Sequence, residues 1–109
     1  MSQPPGNAAH FEIIEQVGEQ EVRLLLQGEL DMFVADRLSD RLEVVSKAGT
    51  PVVLDLSGLD FIDSSGLRVL VDYSSRAANA GCDLRVDQNV STTVERVIQM
   101  MGLGSFLWD

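Results

Sequence analysis

The chain has one cysteine, one histidine and one lysine among its 109 residues, and no long apolar run. Each scarcity excludes something. Cys82 stands alone, so no intrachain disulfide can form and nothing points to an oxidising compartment. No cationic neighbour in sequence activates its thiol, and it reads as a small buried apolar residue. His10 lies in a turn-rich start, which leaves any serine nucleophile without the usual general base. No stretch approaches the roughly 20 apolar residues of a membrane span. Met1–His10 has neither the basic start nor the apolar middle of a signal peptide, so a cytoplasmic location is expected.

Positive charge is scarce too. Seventeen acidic side chains against eight basic ones give a formal charge of −9. Such a surface repels a phosphate backbone and an anionic membrane alike, so neither nucleic acid nor membrane is an expected partner. A basic or mixed-charge protein surface suits it better. What the chain does have is apolar residues, at 45%. That is enough for one core and one domain at this length.

Ser2-Gln3-Pro4-Pro5-Gly6-Asn7 belongs to a turn-rich tail over 1–10, and 11–109 reads as a single domain. Phe11 to Val17 is a strand, Gly18-Glu19-Gln20 a hairpin-length turn, and Glu21 to Gln27 a second strand. Leu24-Leu25-Leu26 is apolar on both faces, as a central strand would be. Val34, Leu38, Leu42 and Val45 recur at helical spacing until Gly49. Pro51 to Leu56 is a third strand, and Ser57 to Asp63 a polar loop. A second helix has the inward stripe Leu67, Leu70, Val71, Ser74, Ala77 and Ala78, closed by Gly81. Cys82 to Val86 is a fourth strand. Val90, Val94, Val97, Ile98 and Met101 mark a third helix, capped near Asn89 or Ser91 and ended at Gly102. Phe106-Leu107-Trp108 reads as a short edge strand, and Trp108 with Met100-Met101 as core or edge packing.

The order β-β-α-β-α-β-α predicts an α/β fold: a leading β-hairpin, then βαβ units, giving a mixed sheet with helices packed on it. The second and third strands are joined through a helix and should run parallel. Their carboxyl ends then share one edge, where open α/β sheets hold their sites. Asp31 and Asp63-Ser64-Ser65-Gly66 must meet there. In purely structural terms, Asp63 or Ser64 caps the second helix and Gly66 eases the turn. Yet two hydroxyls flank that cap, and Asp31, Asp60 and Asp63 crowd the same edge.

Catalysis by these residues is not expected. The segment is Asp-Ser-Ser-Gly, not the Gly-x-Ser-x-Gly of a nucleophile elbow. Carboxylates could hold Mg²⁺ as in aspartyl-phosphate receivers, but those need a lysine late in the sheet, and Lys47 lies in the first helix. The glycines do not space into a phosphate-cradling loop. No cofactor and no metal are expected. A phosphate on Ser65, by contrast, would meet free N–H groups at a helix start.

The runs Leu26-Gln27-Gly28-Glu29-Leu30-Asp31 and Val53-Leu54-Asp55-Leu56-Ser57-Gly58-Leu59-Asp60-Phe61-Ile62-Asp63-Ser64-Ser65-Gly66-Leu67 resemble the STAS domain of bacterial anti-sigma factor antagonists. Val94-Glu95-Arg96-Val97-Ile98, with Gly102, Leu103 and Phe106, resembles the family's last helix, so the likeness spans roughly Val22 to Phe106. The resemblance implies a non-enzymatic binding protein. Its expected partner is an anti-sigma factor with serine kinase activity, bound in the unphosphorylated state and released once Ser65 is phosphorylated. A PP2C-type serine phosphatase would reset it. Asp31 would support the phosphoacceptor, together with Asp63, Ser64 and Gly66. The alternative is a STAS subunit of a stressosome or of a lipid-transport ATPase complex, with a different partner face. A small hydrolase using Ser65 lacks its base.

Overall fold

A computed structural model describes residues 10–108. Eight elements follow one another: β1 (Phe11–Val17), β2 (Val22–Leu30), α1 (Ala35–Lys47), β3 (Val52–Ile62), α2 (Ser64–Ala80), β4 (Leu84–Val86), α3 (Thr92–Met100) and α4 (Gly104–Trp108). The four strands form one sheet in the order β1-β2-β3-β4. β1 and β2 pair antiparallel, as a three-to-four-residue turn requires, while β2–β3 and β3–β4 are parallel. The mixed sheet of the leading hairpin and βαβ units is therefore present.

Alternation decides which face is covered. Leu24 lies opposite Glu15 on β1 and Leu54 on β3, so these three share a face. Arg41 of α1 bonds Glu15 at 3.0 Å, and the Arg37 guanidinium lies over the Phe11 ring at 5.3 Å. The first helix therefore lies on the Leu24 side. Ala35, Leu38, Leu42 and Val45 form its buried stripe, and it packs in turn against α2. Leu24, Leu26, Leu38, Leu42, Leu54 and Leu70 are fully enclosed. Each such side chain contributes about 1.5–3 kcal/mol on burial, against about 0–1 kcal/mol for an exposed ion pair. The helical and strand apolar patterns, not the charges, hold the domain together.

On the opposite face the strands are joined by ions. Arg23 of β2 reaches Asp55 of β3 at 3.1 Å and Asp87, just past β4, at 3.2 Å. Asp87 is held below the usual carboxylate range, first by the Asn89 N–H and then by Arg23.

Several local expectations are corrected. β2 extends to Leu30 and β3 to Ile62, so the segment read as a polar loop, Ser57–Asp63, is mostly strand. Register shifts between Leu25 and Gln27 and between Gly28 and Glu29 carry the ladder through that polar stretch. β4 is only Leu84–Val86, and Cys82 is exposed rather than buried. Phe106-Leu107-Trp108 lies in the short helix α4, not an edge strand, because its Leu103 carbonyl accepts from both Phe106 and Leu107 N–H groups. In α2, Tyr73 is buried where Ala78 was expected, and Ala78 faces solvent. Val90 precedes α3, and Ser91 supplies its cap by accepting from the Val94 N–H at 3.2 Å. Met100 and Met101 are exposed instead of packed. The expected tail over 1–10 lies outside the described residues, apart from His10.

Candidate functional site

The expected site lies at the carboxyl ends of β2 and β3, where Leu30 and Ile62 are register partners. The chain leaves β3 at Asp63 in an extended conformation and turns at once into α2. Its backbone is tied to the neighbouring strand there, with the Asp63 N–H donating to the Leu30 carbonyl at 3.1 Å.

Of the two candidate caps, Asp63 is the one used. Its Oδ1 accepts from the Gly66 N–H at 3.0 Å, satisfying a free donor of the first turn. Its Oδ2 accepts from the Met32 N–H at 3.1 Å, in the loop between β2 and α1. One carboxylate thus joins two loops that are 31 residues apart in sequence. Sequence reasoning found the cap but not this second bond. The only hint was that parallel β2 and β3 bring the two loops side by side.

Asp31 acts on the same loop from the other side. Its Oδ1 accepts from the Phe33 N–H at 3.0 Å, and its carbonyl accepts from the Val34 and Ala35 N–H groups at 3.1 and 2.9 Å. The Asp63 and Asp31 carboxylates therefore hold two consecutive N–H groups, those of Met32 and Phe33. This juxtaposition of Asp31 with the Asp63 segment is the one the topology predicts. Asp60 goes elsewhere: it lines a shallow hollow with Gln27, Gly28, Glu29 and His10. Among the described residues no three His, Cys, Asp or Glu side chains are grouped to hold a metal ion.

Because Asp63 supplies the cap, Ser64 and Ser65 are not needed for it. Ser64 is exposed and Ser65 half-buried, both in the first turn of α2. Gly66 does not ease a turn, as expected, but permits contact. It is helical and buried, and a Cβ there would stand 2.6 Å from Leu30 Cγ and 2.9 Å from the Leu30 carbonyl oxygen. Only a residue without a side chain lets α2 start this close to the end of β2.

The edge also carries apolar surface that the sequence reading did not single out. Met32, Phe33 and Phe61 are 66%, 64% and 42% exposed. Met32 and Phe33 fall before the helical stripe of α1, and Phe61 points away from the buried Ile62. Their signal was available: an apolar pair in a loop, outside any periodicity that would bury it. Large apolar side chains around half-buried polar groups form the composition of a protein-binding surface.

Fold and edge together have known counterparts. The family model described as "Mlab, STAS domain" matches residues 14–108, and the chain belongs to the STAS domain family. It is 30% identical over 102 residues to the anti-sigma F factor antagonist of Lysinibacillus sphaericus, covering 92% of this chain and 86% of that protein. The solved anti-sigma factor antagonist from Mycobacterium paratuberculosis shares the fold at a TM-score of 0.75, with 21% identity, over 89% of this chain and 82% of the other. The anti-sigma factor antagonist SpoIIAA of Bacillus is similar in both of its forms. Its unphosphorylated form gives a TM-score of 0.71 at 26% identity (91% of this chain, 86% of that one). Its phosphorylated form gives 0.66 at 25% (91% and 89%).

Proposed function

We propose that this chain is an anti-sigma factor antagonist that docks an anti-sigma factor through the Ser65 edge and is switched off by phosphorylation of Ser65. The observation that carries the reading is the division of labour at that edge. Asp63 takes the capping role, which leaves the Ser65 hydroxyl for other chemistry on an edge that also exposes Met32, Phe33 and Phe61. Relatives of the chain are anti-sigma factor antagonists, and SpoIIAA has been solved with and without its phosphate.

In the unphosphorylated state the apolar rim meets the partner. The partner is itself the serine kinase, so docking presents Ser65 to it, and a PP2C-type phosphatase reverses the modification in the cytoplasm. Asp31, by holding the Phe33 N–H, keeps the neighbouring loop in place for that transfer. The added phosphate brings about −1.5 to −2 of charge to an edge that already holds two carboxylates. A close charge pair at about 4 Å is worth only ~1 kcal/mol in water but ~4 kcal/mol at an interface-like dielectric. A hundredfold loss of affinity needs ~2.7 kcal/mol, which one phosphate can supply.

Calorimetry with candidate anti-sigma factor kinases tests this directly. Ser65→Ala should bind as the wild type does and accept no phosphate from ATP. Ser65→Asp should bind about a hundredfold more weakly. Tight binding by Ser65→Asp, or phosphate on Ser64 instead, would sink the proposal. Asp31→Asn should slow phosphorylation more than it weakens docking, and equal losses would remove its assigned role.

A further inference from the structure

The two edges of the sheet are finished differently. β4 is three residues long, and α4 packs against it. β1 runs for seven residues in unbroken register with β2, and among the described residues no strand pairs with its outer side. Natural edge strands are guarded by bulges, prolines, charged side chains or covering elements. β1 has no proline and no bulge, and its only charged residues are Glu12 and Glu15, the latter already bonded to Arg41 of α1. Each of its faces nevertheless exposes apolar surface. Ile13 and Val17 lie on the α1 side and Ile14 on the other; Ile14 is 39% and Val17 73% exposed. Val44 of α1, exposed as well, shares a groove with Ile13 along the same margin.

The direction of its free backbone groups can be derived. Val22, the register partner of Val17, donates its N–H to Pro51 on the β3 side at 2.8 Å. The Val17–Val22 pair is therefore a non-hydrogen-bonded one, and Val17 turns its own N–H and C=O outward. With a period of two, so do Phe11, Ile13 and Glu15. The accepting His10 carbonyl, bonded by the Glu29 N–H at 2.7 Å, falls on the inward set as this requires.

We propose that β1 pairs antiparallel with β1 of a second copy about a two-fold axis at Ile14. In that register Phe11 faces Val17 of the other copy and Ile13 faces Glu15. All four are outward-bonding residues, so every free group on the strand finds a partner. Ile14 faces Ile14, and Glu12 faces Gln16. No like charges stand directly opposite each other. The two Glu15 side chains, diagonal across the axis, each keep the Arg41 partner of their own chain, whereas a shift of the axis to Glu15 would set Glu15 directly against Glu15. Charge is complementary on the helix side. Arg37, over Phe11, comes opposite Val17 and diagonal to Glu15 of the second copy. Two-fold pairing of this kind is self-complementary and closed. It also directs the two Ser65 edges to opposite ends of the joined sheet, so the pairing does not depend on the function proposed for Ser65.

Sedimentation velocity of the full chain over a concentration series tests the pairing. The wild type should reach twice the mass of one chain. Ile14→Lys and Ile14→Glu should each weaken association by at least about tenfold, since like charges then meet on the axis. An equimolar mixture of the two variants should recover the dimer, which a folding defect would not allow. Because each chain carries −9, raising salt should strengthen association. A wild type that stays monomeric, an unaffected Ile14→Lys, a mixture that stays monomeric, or an association weakened by salt would each overturn the proposal.

Discussion

Helix α2 starts and stops by different physics. At its beginning, both oxygens of Asp63 are engaged and Gly66 is pressed against Leu30, so side chain and backbone of three elements are interlocked. At its end, Gly81 adopts a left-handed conformation (φ 74°) with open space where a Cβ would go. Around it lies a hollow of about 190 Å³ bordered by Thr50, Val52, Ala77, Cys82 and Leu84. Polar contacts form part of its wall: the Tyr73 hydroxyl donates to Glu43 at 2.5 Å, and Arg76 lies over the Tyr73 ring. The difference teaches that the same helix can be anchored where recognition is proposed and merely terminated at the other end.

Substitutions can break that contrast, the largest effect first. Asp63→Ala removes a cap and the bond to Met32 together. Chemical denaturation should show a loss of about 1.5–3 kcal/mol, from ~0.5–2 for the cap and ~1 for the second bond. A loss under ~1 kcal/mol would mean that the two loops are not held by this carboxylate. Gly66→Ala should cost about 2 kcal/mol, because the added methyl group meets backbone as well as a side chain. Gly81→Ala should cost only about 1 kcal/mol, since backbone conformation alone opposes it. If the two glycine variants prove equal, the close approach at Leu30 is not a constraint.

The smallest effect concerns pH. Glu43 is held below its ordinary range, first by the Tyr73 hydroxyl and then by the nearby Arg76 and Lys47 charges. A carboxyl lowered on folding contributes stability that is complete above its ordinary value and lost as pH falls through the lowered one. Tyr73→Phe should move Glu43 back upward in an NMR titration and reduce the acid-dependent part of stability. An unchanged Glu43 titration would assign the lowering to the cations instead.

Much of this was legible in the residues. The stripe Leu38, Leu42 and Val45, and the parallel pairing of β2 with β3, follow from periodicity and crossover rules, and together they bring Asp31 and Asp63 to one edge. Strand ends were harder, because the polar Ser57–Asp60 stretch looks like a loop while register shifts keep it in the ladder. Cys82 was misplaced because residue type says nothing about whether a helix exit overhangs the core. The double use of Asp63 was hidden for another reason. A carboxylate has two oxygens, and only three-dimensional contact reveals what the second one meets.

That second oxygen bears on time. A phosphate added two residues later, as proposed, would meet loops that Asp63 already ties together. Under the proposed switch, the response would then be paced by the enzymes that add and remove the group, not by a slow rearrangement of the domain.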